Sequence, residues 1–135
     1  MLHPNQFHVN EAWIVFKLND APVRTYRDGD FNLIALMDAA SCFILGFTTI
    51  RANAREPSKM EAKRLLKEGR AHKQQLPQTL FVPGDQLADL LTREAERQGI
   101  RVVRLPEDEL SVFIDEARVS FRERFGARAR ERSGT

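Results

Sequence analysis

Cysteine is almost absent from this chain. Cys42 is the only one in 135 residues, so no internal disulfide can form. Long hydrophobic runs are missing too: none approaches the ~20 apolar residues that a helix needs to cross a bilayer. The opening "MLHPNQFHVNEAW" has neither the basic nor the apolar region of a secretory signal. Together these absences predict a soluble, cytoplasmic protein with no membrane partner. Charge of one sign is also scarce, with a formal net charge of +2 beside a sequence pI near 9.0. That balance leans toward an anionic partner, but a dedicated nucleic-acid binder carries a denser basic stripe. With 42% hydrophobic and 30% charged residues the chain has the composition of a globular protein. Its length suits one domain with a buried core.

What is present changes period in an orderly way. "AWIVFKL" (Ala12 to Leu18) is rich in β-formers, and the turn-rich stretch after it offers Asp28-Gly29 as a tight turn. "FNLIALMD" and "CFILGFTTI" read as two strands joined through "AAS", with Asp38 at the mouth of a hairpin. At Ser58 the pattern turns helical. "SKME" is a capping box in which Ser58 and Glu61 satisfy each other's amides. A helix from about Lys59 to Lys73 buries Ala62, Leu65 and Leu66, although Gly69 in its interior weakens it by ~1 kcal/mol against alanine. "QTLFVPG" is a short strand, and Asp85 is the expected cap of a helix carrying Leu87, Leu90, Leu91 and Ala95. "IRVVRLP" is another strand. A last helix from Glu107 or Asp108 places Leu110, Phe113, Ile114, Ala117 and Phe121 on one stripe and ends before Gly126. The start of the chain is expected to be loosely held, and residues 127–135 to form a flexible basic tail. Strands alternating with helices of this length imply parallel crossovers, so an antiparallel N-terminal meander continues into a parallel half.

This order, an α/β (α+β) mixed sheet with three N-terminal strands and then α-β-α-β-α, resembles ribonuclease H-like domains. The likeness is to the catalytic cores of retroviral integrases and bacterial transposases in particular. "MDAASCFILGF" is similar to the transposase pattern "DxxSRxIVGW", matched by Asp38, Ser41, Ile44, Gly46 and Phe47, with Cys42 in place of the arginine. The chain also resembles a group of uncharacterised bacterial proteins sharing "ALMDAAS" and "LPxTLFVP". The integrase resemblance implies a homodimer and a site of two or three carboxylates converging on divalent metal ions. It also implies that Asp38 is a turn residue, because the family's catalytic aspartates lie on the first and fourth strands. Aligning those strands puts Phe16 and Pro83 at the two aspartate positions. Only the third ligand, a glutamate on the last helix, has a counterpart, Glu116. Phenylalanine and proline offer magnesium no oxygen.

Two functional readings from different classes follow. In the first, the domain has lost its metal chemistry, needs no cofactor, and serves as a binding or assembly module; a sheet edge could take a second copy or another protein. Its nucleic-acid version uses Lys59, Lys63, Arg64, Lys67, Arg70, His72 and Lys73 of the first helix with Arg122, Arg124, Arg128 and Arg130, and requires them to share one face. Against it, glutamates are interleaved with these residues as on an ordinary charged helix face. In the second reading, Asp38, Asp85 and Glu116 form a displaced Mg2+ or Mn2+ site of a nuclease or strand-transferase remnant. Each of the three also has a sufficient local role: hairpin residue, helix cap, solvated helix carboxylate. A Cys42 nucleophile with His3, His8 or His72 as base is a further option, set against a small residue of an apolar strand.

Overall fold

The structure, a computed structural model, describes residues 1–19, 22–24, 29–86 and 88–133, with residues 125–133 as backbone only. Five strands form one sheet: β1 (Ala12–Lys17), β2 (Phe31–Asp38), β3 (Ile44–Arg51), β4 (Thr79–Pro83) and β5 (Arg101–Leu105). Their order across the sheet is β3-β2-β1-β4-β5. The β1–β2 and β2–β3 pairs are antiparallel; β1–β4 and β4–β5 are parallel. Three helices follow the expected order: α1 (Lys59–Lys73), α2 (Asp89–Arg97) and α3 (Ser111–Ser133).

Alternation along the strands divides the core. Trp13, Val15, Leu36, Leu80 and Val82 face α1 and α2, which contribute Leu65, Leu66 and Leu91. Ile14, Phe16, Ala35, Met37 and Phe81 face α3, which contributes Phe113 and Ile114. This period of two is why β1, buried on both sides, reads as an unbroken apolar run. No helix among the described residues is long and apolar enough to cross a membrane.

Gly69 is placed by packing rather than by propensity. A Cβ there would lie 2.8 Å from both Leu36 Cδ2 and Trp13 Cη2, so only glycine lets α1 lie this close to the sheet. A Gly69→Ala variant should therefore be less stable by about 1–3 kcal/mol from overpacking, despite the ~1 kcal/mol that alanine gains in a helix. Urea denaturation checks the sign.

Several expected boundaries move. β3 begins at Ile44, and Cys42 sits in the hairpin turn at φ +58° rather than on the strand. Asp85 is exposed and is not the cap of α2, whose N-cap is Ala88. The Glu56 carboxylate takes that role, accepting from Asp89 N at 3.0 Å and Leu90 N at 3.2 Å. A 3-10 turn over Glu107–Leu110 precedes α3, whose backbone continues through Gly126. The start of the chain is held. Leu2 N donates to Glu109 O at 3.1 Å, and the Phe7 ring packs edge-on against Phe81 with centroids 5.7 Å apart. Asp28 and Leu87, assigned above to a turn and a helix, lie outside the described residues.

Candidate functional site

In an open sheet of this kind, ligands bind beyond the carboxyl ends of the parallel strands. Here that end is filled by the protein itself. Phe16 is completely buried against the α3 core. Pro83, the last residue of the neighbouring parallel strand β4, is also buried. Just beyond, Gln86 Oε1 accepts from Lys17 N at 3.1 Å, and Arg118 Nε donates to Lys17 O at 3.0 Å. Both backbone groups of the last residue of β1 are thus held by side chains from either side of the sheet.

The three carboxylates are not brought together. Asp38 pairs with Trp13 at the opposite end of β1, three residues or ~10 Å from Phe16. It does not face water: it is fully buried. Its Oδ1 accepts from Asn10 N at 2.7 Å, and its Oδ2 accepts from Ser41 N at 2.9 Å and Ser41 Oγ at 2.7 Å. The carboxylate therefore pins the hairpin turn to the segment before β1. Asn10, at φ +66°, completes the clasp, accepting from Trp13 Nε1 at 2.7 Å and donating to Gln75 O at 3.0 Å. Glu116 is exposed on α3 and lines the groove that also includes Ser41 and Cys42, and Asp85 is exposed past β4. Among the described residues no group of three or more His, Cys, Asp or Glu side chains is placed to hold a metal ion. These residues do not fit the divalent site that the second reading requires.

Cys42 is a poor nucleophile. Burial raises its thiol pKa, and the charges of Glu116 and Asp38 raise it further, which keeps the thiolate scarce at neutral pH.

The basic residues divide. Lys63, Lys67 and Arg70 line a groove between α1 and α2 with Leu76, Glu94, Arg97 and Gln98. Arg64 turns away to donate to Thr48 Oγ1 on β3 at 3.1 Å, and Lys73 Nζ lies 5.9 Å from the Phe43 ring, which His72 meets edge-on. Lys59 is exposed at the start of α1. Arg122 and Arg124 belong to α3, on the other face of the sheet, so the single shared basic face is not formed. The side chains of Arg128 and Arg130 lie outside the described residues.

Sequence reasoning missed the acidic floor of the α1–α2 groove. Glu94 is 3% exposed and accepts from Arg97 Nε at 3.0 Å, Arg97 Nη2 at 2.6 Å and Gln98 Nε2 at 2.8 Å. The Arg97 bonds and then the Gln98 bond lower its pKa from 4.5 to about 2. The i,i+3 pair Glu94 and Arg97 was the available signal. Because the folded-state pKa is depressed, this carboxylate contributes stability in full above pH 4.5 and loses it as the pH falls toward 2. The melting temperature of wild type should thus fall more steeply across that window than that of Glu94→Gln, as thermal melts at stepped pH would record.

On the other side of the sheet, a groove of about 920 Å³ runs between α3 and the β2–β3 hairpin, its lining including Met37, Cys42, Ile44, Phe47, Glu116 and Arg124. Phe47 at its rim is 56% exposed.

No protein-family model and no curated protein matches this chain. Solved structures do. One is the simian T-cell lymphotropic virus intasome in complex with the PP2A regulatory subunit B56 gamma, with a TM-score of 0.54 and 14% identity, covering 79% of this chain and 36% of that one. Another is the HTLV-2 integrase catalytic core domain in complex with magnesium, in its dimeric form, with a TM-score of 0.51 and 10% identity, covering 71% of this chain and 61% of that one. The mixed five-stranded sheet with its helices is the ribonuclease H-like fold of integrase catalytic cores. The chain spans about a third of the length of the first structure's chain and three-fifths of the second's.

Proposed function

We propose that this domain is an integrase-core scaffold without phosphoryl-transfer chemistry, working in the cytoplasm as a binding and assembly module. The observation that carries this reading is the filled carboxyl end of β1, where Phe16, Pro83, Gln86 and Arg118 stand in the region that would otherwise admit metal and substrate. The HTLV-2 core has magnesium; this chain offers packed rings and amide groups in the corresponding part of its sheet. The lone free cysteine, Cys42, is in keeping with a reducing compartment.

Calorimetric titration of Mg2+ and Mn2+ tests the proposal on wild type beside Asp85→Ala and Glu116→Ala. A flat trace at millimolar metal is the expected result. Saturable binding to wild type that either substitution abolishes would overturn it and restore the nuclease reading.

The groove between α1 and α2 favours a second reading in which the partner is a nucleic acid. Lys63, Lys67, Arg70 and Arg97 line one concave strip, and three or four phosphate contacts would give log K a slope near −3 against log salt for a duplex. Fluorescence anisotropy with a labelled duplex, run on wild type and Lys63→Glu/Lys67→Glu, measures that slope. Equal affinity of the two proteins would remove this reading.

A further inference from the structure

Lys63, Lys67 and Arg70 follow the spacing i, i+4, i+7 along α1, which sets them in one stripe ~10 Å long. The stripe lines the groove of about 510 Å³ between α1 and α2, and Arg97 stands on the α2 wall. None of the three α1 cations has an ion-pair partner among the described residues, although like charges at i, i+4 disfavour a helix. Arg97 is held differently. Its Nε and Nη2 both donate to the buried Glu94 carboxylate, which fixes the plane of the guanidinium and leaves its Nη1 edge unused. Glu94 spends its oxygens on Arg97 and Gln98, so no hydrogen bond from α1 reaches it. Four cations thus line the groove against one committed carboxylate, a surplus of three positive charges.

We propose that this groove binds a compact oligophosphate, a short chain of linked phosphates either free or carried on a nucleotide. Lys63, Lys67 and Arg70 meet it from α1, and the Nη1 edge of Arg97 meets it from α2. The argument is charge density. An extended acidic peptide needs ~3.3 Å of chain per residue and turns alternate side chains to opposite faces, so it brings only about two carboxylates into a stripe of this length. A duplex is far wider than the space between two packed helices, whose axes lie ~8–10 Å apart; its phosphates reach the rim and not the Arg97 edge. Linked phosphates put several charges on adjacent centres, with acceptor oxygens pointing to both walls at once. The lysines serve as mobile point charges, and Arg97 supplies a planar donor edge of fixed direction. Glu94 is then a positioning residue, an acid that serves an anion site by aiming its arginine. The proposal rests on the second reading above for the groove and for phosphate, and replaces the duplex by a small molecule.

Calorimetric titration of sodium tripolyphosphate into the full chain, in metal-free buffer at fixed ionic strength, tests it. Wild type should bind saturably at one site. Lys67→Gln and Arg70→Gln should each weaken binding about tenfold or more. Arg51→Gln, which removes the same charge from the exposed end of β3 outside the groove, should bind as wild type does. Glu94→Gln should bind about threefold or more weakly although it removes a negative charge, because Arg97 loses its charged anchor; a groove acting by charge alone would bind more tightly. Stoichiometry separates a loss of folded protein from a loss of affinity. Adenosine triphosphate run beside tripolyphosphate distinguishes the two sources of the phosphate chain, and saturable binding of either supports the site. No saturable heat with either ligand overturns the proposal. So does equal affinity for a tetraglutamate peptide, an Arg51→Gln protein as impaired as Lys67→Gln, or a Glu94→Gln protein that binds more tightly. Tripolyphosphate binding without duplex binding removes the nucleic-acid reading and leaves this one standing; the converse removes this one alone.

Discussion

A Phe16→Asp variant, which returns a carboxylate to the first-strand position that the integrase resemblance assigns to a ligand, is expected to lose the fold rather than gain a metal. Phe16 is completely buried and packs in the core beneath α3. Truncating such a ring costs about 3–5 kcal/mol. Placing an unpaired carboxylate in the space adds several more. The sum rivals the ~5–15 kcal/mol that holds a domain together. Far-UV circular dichroism and urea denaturation would register an unfolded or barely folded chain. A variant that stays folded and binds Mg2+ would mean that this end of the sheet retains a latent site.

The second large effect is expected at Asp38. Replacing it with alanine strands the Asn10 amide and the Ser41 amide and leaves the Ser41 hydroxyl without its acceptor, all around a carboxylate that is itself fully buried. Unsatisfied buried donors cost ~1–3 kcal/mol each. The hydroxyl can rotate toward water, so the total should fall at about 3–5 kcal/mol. Asp38→Asn keeps one acceptor oxygen and should lose roughly half as much. The urea midpoint measures both. An Asp38→Ala protein as stable as wild type would show that the clasp between the hairpin and Asn10 is dispensable.

Much of the fold was legible because its determinants are local. The Ser58 and Glu61 capping box lies within four residues and forms as read. Strand and helix order follows from changes of hydrophobic period that no distant contact had to correct. Where the reading failed, the deciding partner is far along the chain. Asp38 was read as a hairpin residue from its neighbours alone; it is fully buried, and its Oδ1 accepts from the amide of Asn10, 28 residues earlier. Asp85 has the chemistry of a cap, but Glu56 is the residue that reaches α2. Cys42 is hidden among apolar neighbours that suggest a strand, and nothing in their order announces its positive φ. The basic residues of α1 and α3 look alike in sequence, yet a sheet stands between them. Arg97, absent from that set, is the residue that joins Lys63, Lys67 and Arg70. The groove beneath Phe47 was not legible at all, since it exists only where α3 and the β2–β3 hairpin diverge.

The Glu56 carboxylate has a kinetic consequence. With nine residues, α2 is shorter than the ~12–15 at which an isolated helix becomes even marginal in water, and its first two amides are closed by a side chain 33 and 34 residues upstream. The initiation of α2 is therefore contingent on the loop that leads into α1, so the two should open and close as one cooperative unit. Deuterium uptake at the amides of Asp89 and Leu90 would then serve as a clock for excursions of a loop that precedes them by a full helix and a strand.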